Sequence, residues 1–248
     1  MLEWIQKKLT GWPKFPLGEP HPDTPFYVIG DIHGCIGLLD SLLNRIQGDH
    51  PVVCVGDYVD RGTHSAQVLR RVRKLESDEP NRFTCLLGNH ERMLLGFLED
   101  PVGNAAWLRH GGLQTLDSFG VARVSEKSPD QNLTATRDSL ARAMGDKLIN
   151  WLGDRPLLFE SGNVAVVHAA ADPRVTMKNQ SPRSLLWGHP AFRKRPRRDG
   201  VWVVHGHTIV DQPIMRNGVI SIDTGAYATG QLSAAFVRNG AVEFITTA

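Results

Sequence analysis

Residues 26–34 read Phe26-Tyr27-Val28-Ile29-Gly30-Asp31-Ile32-His33-Gly34, an apolar run of strand type that passes straight into glycine, aspartate and histidine. Further stretches repeat the arrangement. Val52–Val55 leads into Gly56-Asp57-Tyr58-Val59-Asp60-Arg61-Gly62, and Phe83–Leu87 into Gly88-Asn89-His90-Glu91. Val164–Val167 leads into His168, and Val201–Val204 into His205-Gly206-His207-Thr208. Each run is short, apolar and rich in β-branched or aromatic residues, the pattern of a strand covered on both faces. Between the first runs, periodicity predicts helices over 38–46, 65–75 and 91–98, the second with apolar residues at Val68, Leu69, Val72 and Leu75. Strand and helix alternate, which predicts an α/β fold. In such folds ligands sit beyond the carboxyl ends of the strands, so the polar clusters are expected to share one rim.

Outward from these runs the patterns change. From Trp107 to Trp151 the sequence is helical with a polar interruption at 125–132, and is expected to cap the rim. Val219–Ile222, Leu232–Val237 and Ala241–Ile245, broken by Asn217-Gly218 and Asn239-Gly240, read as antiparallel hairpins of a second sheet. Met1–Leu9 is expected to form one short amphipathic helix, followed by a proline-punctuated segment to Pro25. With no composition break beyond it, residues 1–25 are read as an arm and 26–248 as one domain.

Composition narrows the partners. The 28 basic and 26 acidic residues leave a net charge of +2, without the basic excess that binding many nucleic-acid phosphates requires, so no nucleic-acid partner is expected. No stretch reaches the ~20 apolar residues of a membrane span, and no signal-type segment opens the chain, which predicts a cytoplasmic protein with no membrane partner. The three cysteines lack C-x-x-C spacing and sit in or beside apolar runs, as reduced buried thiols do. Arg193-Lys194-Arg195-Pro196-Arg197-Arg198 reads as a solvated loop which, beside a phosphate site, would attract acidic substrates.

Asp31, His33, Asp57, Asn89, His168 and His207 together offer carboxylate, amide and imidazole donors. That mixed set suits Mn, Fe or Zn, whereas Ca prefers oxygen alone. The two-residue step from Asp31 to His33 puts both on one side of an extended segment. Gathered at one rim, such groups would repel or desolvate one another unless a cation lay among them.

The motifs G-D-I-H-G, G-D-Y-V-D-R-G and G-N-H-E, the later strand-end His168 and G-H-T together resemble the phosphoprotein phosphatase branch of the calcineurin-like metallophosphoesterases. Trp107–Gly112 with Thr115, and Ile222–Ala226, resemble its bacterial serine/threonine phosphatase members, so the likeness covers most of the chain. The resemblance implies a central β-sandwich of two mixed sheets flanked by helices. It assigns Asp31, His33 and Asp57 to one divalent ion and Asp57, Asn89, His168 and His207 to a second, with Mn the favoured metal and water attacking phosphorus in line. It makes His90 the acid that protonates the leaving oxygen, Asp60 its partner and Arg61 a phosphate clamp. His205 falls outside the ligand pattern, and Ile209 stands where the wider superfamily often has another histidine.

A second clamp is open between His189 and Arg193, with Arg183 also a candidate, because the late Leu186-Trp187 is not followed closely by arginine. Tyr227 is read either as a residue over the site or as a packed ring. The implied substrate is a phosphorylated protein or peptide. The alternative is a bis(5'-nucleosyl)-tetraphosphate or other small phosphoester, and Asp60 leans toward the protein phosphatase side, since tetraphosphatases of this kind often lack it. An inactive binding module would not need the intact set of ligands with His90 and Arg61.

Overall fold

The computed structural model describes residues 18–247; the expected helix at Met1–Leu9 and most of the arm fall outside the described residues. One sheet contains β1 (Phe26–Ile29), β2 (Val52–Cys54), β3 (Phe83–Cys85), β9 (Ser233–Arg238) and β10 (Ala241–Thr246), in the order β10-β9-β1-β2-β3. The other contains β4 (Leu158–Ser161), β5 (Val164–Val167), β6 (Trp202–His205), β7 (Ile214–Arg216) and β8 (Val219–Ser221), in the order β4-β5-β6-β8-β7. Helices α1 (Ile36–Leu43) and α2 (Ser65–Asp78) cross between β1, β2 and β3, and α3 (Asn89–Glu99) follows β3. A 3-10 helix at Ala105–His110, α4 (Gly112–Ser118), α5 (Asp130–Met144) and α6 (Asp146–Gly153) come before the second sheet; α7 (Pro182–Trp187) and α8 (Ala226–Thr229) come later.

Side-chain alternation along the strands sorts the core into layers. On β1, Tyr27 and Ile29 face α1, α2 and α3, together with Val52, Cys54, Phe83 and Cys85. Phe26 and Val28 face the other way, onto Val164, Val166, Val204 and Ile220 of the second sheet. The outer face of that sheet, Ala165, Val167, Val203 and Val219, is covered by Met177, Leu185 and Phe192. Parallel strands buried on both faces therefore account for the uninterrupted apolar runs. Cys54 and Cys85 lie opposite each other across β2 and β3, buried and unbridged.

Because β1, β2 and β3 are parallel, as are β5, β6 and β8, the ends that carry the polar clusters open on one edge of the sandwich. The C-terminal hairpins divide between the sheets. Asn217-Gly218 closes β7 on β8 and Asn239-Gly240 closes β9 on β10, yet β8 pairs parallel with β6 while β9 pairs antiparallel with β1. The second sheet is thus built mainly from residues before 217, not from the C-terminal hairpins alone. The edge strands β4 and β7 were not foreseen. Among the described residues no helix is long and apolar enough to cross a membrane.

Ile220, with no exposed surface between the sheets, and Ile214, 42% exposed on β7, make a paired test of this layering. Ile220→Ala should cost about 2–5 kcal/mol in urea unfolding, and Ile214→Ala less than about 0.5 kcal/mol. Similar losses would contradict the layering.

Candidate active site

The loops that leave β1, β2 and β6 turn with unusual sharpness. His33, Asp57, Asp60, Arg61 and His207 all adopt left-handed backbone, with φ of 42°, 53°, 70°, 66° and 61°. That region is costly for residues bearing a Cβ and persists only where the surroundings over-determine it. Here hydrogen bonds do so. The amides of Ile32 and His33 donate to the Asp57 carbonyl at 3.1 and 2.8 Å, and Gly34 donates to Tyr58 O at 2.9 Å, which ties the first loop to the second. Buried Glu91, at the start of α3, accepts the backbone N–H groups of Asp57, Tyr58, Val59 and Gly88 at 2.7, 2.7, 3.1 and 2.9 Å. Two glycines permit the approach, since a Cβ at Gly88 would overlap Asp57 and one at Gly206 would overlap the Asp31 carboxylate.

These turns gather His33, Asp57, Asn89, His168 and His207, while Asp31, the sixth sequence-predicted ligand, is held beside them by the His207 amide and belongs to neither group of converging donors. His33 donates through Nδ1 to the Val59 carbonyl at 2.7 Å, leaving Nε2 3.4 Å from Asp57 Oδ2. His168 likewise donates through Nδ1 to Val55 O at 3.1 Å, and its Nε2 lies 3.4 Å from the other oxygen, Asp57 Oδ1. Asn89 Oδ1 sits 2.7 Å from His168 Nε2 and 2.9 Å from His207 Nδ1. Both Asp31 oxygens accept the His207 amide, at 3.1 and 2.9 Å. Donor atoms cluster in two groups that share Asp57, namely His33, Asp57 and His90, and Asp57, His168 and His207.

Electrostatics give this cluster its character. Burial lowers the pKa of His33 to about 3 and of His168 to about 4, and also lowers that of His207, so the imidazoles are neutral near pH 7. With its one proton held on Nδ1 by a carbonyl, His168 presents a bare Nε2 that converges with Asn89 Oδ1 and Asp57 Oδ1. Three acceptors facing one point without a proton among them fit a cation. Asp57 is itself buried, which disfavours its charge, but at low pH the protonated rings of His168, His90 and His33 outweigh this and hold its pKa below the ordinary value. Burial, then the charges of Asp223 and Asp57, push Asp31 well above the usual carboxylate range, and burial pushes Asp223 up to about 6. A nearby cation would relieve both.

Beside the cluster lies a second arrangement. His90 Nδ1 is 2.7 Å from Asp60 Oδ2, while its Nε2 faces the cluster 4.0 Å from Asp57 Oδ2 and 3.2 Å from an Arg61 nitrogen. Asp60 also accepts from Trp107 Nε1 at 2.9 and 3.1 Å and from Thr115 Oγ1 at 2.6 Å. Its own amide donates to Ser65 Oγ and Thr115 Oγ1 at 3.0 and 2.9 Å. Burial opposes charge on His90, yet Asp57 and Asp60 overcome it and raise the pKa above the usual imidazole value. An imidazole whose Nδ1 is fixed by a carboxylate and whose Nε2 faces the reacting centre can donate a proton there.

Other predicted residues are placed more diversely. Tyr227 packs edge-on against His33 with ring centroids 5.3 Å apart, and the Arg61 guanidinium lies 4.8 Å above its ring, so Tyr227 borders the cluster. His189 instead pairs with Asp172 at 3.4 Å. Arg193 lines a separate cavity with Lys194, Ile214, Arg216 and Val219. The basic run is not wholly solvated: Arg197 is buried, pairs with Asp199, and donates to the carbonyls of Asp172 and Val175 at 3.0 and 2.9 Å. A cavity of about 780 Å³ beneath Arg195 and Arg198 has no candidate ligand in its walls. His205, outside the ligand set, bonds Gly206 O and Ser221 Oγ at 2.8 and 2.7 Å.

Sequence reasoning left Glu91, Trp107, Thr115, Ser65 and Asp223 without roles. Glu91 carried a local signal, since a glutamate at the third position of a helix caps the N–H of the residue before it. Trp107 and Thr115 reach Asp60 across 47 and 55 residues, whereas Ser65 bonds the Asp60 amide from only five residues away.

A family model described as calcineurin-like phosphoesterase matches residues 24–211. The chain is 29% identical over 233 residues to the asymmetrical bis(5'-nucleosyl)-tetraphosphatase PrpE of Bacillus velezensis, covering 83% of this chain and 86% of that one. To serine/threonine-protein phosphatase 2 of Salmonella typhimurium it is 28% identical over 222 residues, 84% and 90% of the two chains. A protein serine/threonine phosphatase structure from Saccharomyces cerevisiae superposes with a TM-score of 0.57 at 19% identity, over 91% of this chain and 80% of that one.

The four N–H groups on Glu91 predict a structural penalty independent of turnover. Glu91→Gln puts an amide N–H₂ against donors that need an acceptor, and should destabilise the metal-free protein by about 1–3 kcal/mol in denaturant unfolding. An unchanged midpoint would show that those amides find other partners.

Proposed function

The chain belongs to the calcineurin-like phosphoesterase family, and on that premise we propose that it hydrolyses phosphoesters with two divalent ions held by Asp31, His33, Asp57, Asn89, His168 and His207. The observation that carries this is the sharing of Asp57, one oxygen facing His33 and the other His168, each at 3.4 Å. Ions bound there supply Lewis-acid charge for phosphate oxygens and activate water for in-line attack. Manganese fits the mixed donor set, as do iron and zinc. Arg61, whose guanidinium lies over the Tyr227 ring, is the proposed clamp on a phosphate oxygen, since a guanidinium offers a planar pair of donors. His90 delivers a proton from Nε2 to the departing oxygen, and Asp60 keeps its ring oriented and stabilises the imidazolium before transfer.

The proposed substrate class is a dinucleoside polyphosphate, supported by likeness to the Bacillus tetraphosphatase across most of both chains. A second reading, hydrolysis of phosphoserine or phosphothreonine in proteins, is favoured by the Asp60–His90 pair and by the likeness to the Salmonella phosphatase. Initial rates on diadenosine tetraphosphate and on a phosphopeptide panel separate them. Faster cleavage of the peptides would reverse the order.

Chelation should abolish turnover, and Mn should restore it better than Ca, which is poorly served by three imidazoles. Full activity after exhaustive chelation would refute the metal assignment. Asp57→Asn should lower metal content at both positions, measured by elemental analysis, whereas loss of a ligand to one ion should spare the other.

His90→Asn should leave metal content nearly unchanged and cut kcat for phosphoserine peptides by about 10²–10⁴-fold, the usual range for a general acid. Diadenosine tetraphosphate should suffer less, because its leaving group is already a weak base. Equal losses on both substrates would remove His90 from the proton-transfer role.

A further inference from the structure

We propose that the groove walled by Leu87, Arg92, Leu157, Arg183, Leu186 and Trp187 is a nucleoside subsite, in which Trp187 stacks the base of a nucleotide and Arg183 meets one of its phosphates. The proposal rests on the nucleotide reading of the substrate.

The groove measures about 600 Å³, a size that suits a nucleotide. Its walls grow out of the elements that carry the candidate ligands. Leu87 lies two residues before Asn89, and Arg92 stands in the first turn of α3, which begins at Asn89. Helix α7, bearing Arg183, Leu186 and Trp187, is fastened beside His168 by the hydrogen bond from Ala169 N to Leu185 O at 2.7 Å. The groove thus shares the β3–α3 connection with Asn89 and is tied through α7 to the residue after His168.

The chemistry of the walls favours an aromatic ring that carries negative charge. Trp187 is 45% exposed, and among the described residues its indole has no partner ring or stacked guanidinium. Leu87, Leu157 and Leu186 give an apolar floor, and no acidic side chain is in the wall. Arg183 makes no hydrogen bond or ion pair among the described residues, and Arg92 has only a solvent-exposed pair with Glu99 at 3.6 Å, worth little in water. An uncharged peptide side chain would leave both guanidinium groups unused. A nucleotide uses the indole face for its base and the guanidinium for phosphate.

Calorimetric titration of the Mn-loaded enzyme with ADP and with inorganic phosphate tests this without relying on turnover. Trp187→Ala should weaken ADP binding about tenfold, the effect of losing one base–aromatic stack. Trp187→Phe should restore most of it, and inorganic phosphate should bind all three proteins alike. Arg183→Ala should weaken ADP but not adenosine. In kinetics, Trp187→Ala should raise KM for diadenosine tetraphosphate with little change in kcat. ADP affinity within twofold of wild type in Trp187→Ala overturns the subsite, even if diadenosine tetraphosphate is still cleaved. An ADP affinity that depends on Trp187 upholds it, even if that substrate is inert and the substrate reading falls. A rise in KM for phosphopeptides alone, with ADP unaffected, overturns the subsite in favour of a peptide groove.

Discussion

Asp57 is 1% exposed, so its charge costs desolvation that only close partners can offset. Its two oxygens are turned toward imidazoles on opposite sides, its carbonyl receives the amides of the first loop, and its own amide is bound by Glu91. Nearly every distortion of the site can be traced to holding this one side chain between two groups of donors. The left-handed backbone at Asp57 aims the carboxylate outward from β2, and Gly88 leaves room for it. The left-handed backbone at His33 and His207 then brings imidazoles to it from β1 and from β6 of the other sheet. Because the strands beneath are parallel and covered on both faces, these turns grow from a rigid platform, and the strain is borne by the hydrogen bonds that bind the loops.

Much of this was legible in the sequence for a physical reason. A strand buried on both faces must be apolar at every position, so where the run stops and polar residues begin, the edge of the sheet is marked. The six candidate ligands follow such stops, as do His90, Asp60 and Arg61, and the structure brings them to one rim. What escaped notice lacked that contrast. Strand β4, Leu158-Phe159-Glu160-Ser161, and strand β7, Ile214-Met215-Arg216, run along sheet edges with side chains partly in water, and so show neither a continuous apolar run nor a clean alternation. The C-terminal strands were recognisable singly. Their division between two sheets was not, because turn chemistry at Asn217-Gly218 and Asn239-Gly240 specifies which neighbours pair locally and says nothing of which sheet receives the pair.

The polar residues that were missed show the same limit at the scale of side chains. Glu91 sits three residues beyond Gly88, a spacing that sequence can interpret, but its bonds to Asp57, Tyr58 and Val59 span more than thirty residues, with separations of 34, 33 and 32. Trp107 and Thr115 reach Asp60 over 47 and 55 residues, from a helical segment read as a cap over the rim, whose helices α4, α5 and α6 pack on α2 and α3. Arg197 misled in the opposite direction. In a run of cations it looked like solvated charge, whereas its guanidinium is buried and spends its donors on Asp199 and on two carbonyls. Charge density in a sequence therefore overstates the field such a loop offers a substrate.

The surroundings of Asp60 bear on why one site resembles enzymes with different substrates. Asp60 is fully buried and its pKa is raised by burial, yet it faces donors only: the indole of Trp107, the hydroxyl of Thr115 and the ring of His90. An acceptor-only carboxylate suits three donors, so the ionised form fits the geometry and keeps the proton of His90 on Nδ1, or on both nitrogens when His90 is charged. That second state is the one able to protonate an alkoxide. A serine or threonine oxygen leaving phosphorus needs such a proton, whereas the phosphate end of a nucleotide does not. On the proposed role of His90, the Asp60–His90 pair suits the harder leaving group and loses nothing on the easier one. Discrimination between the two classes then falls to whatever binds the rest of the substrate, outside the reach of the metal-ligand motifs.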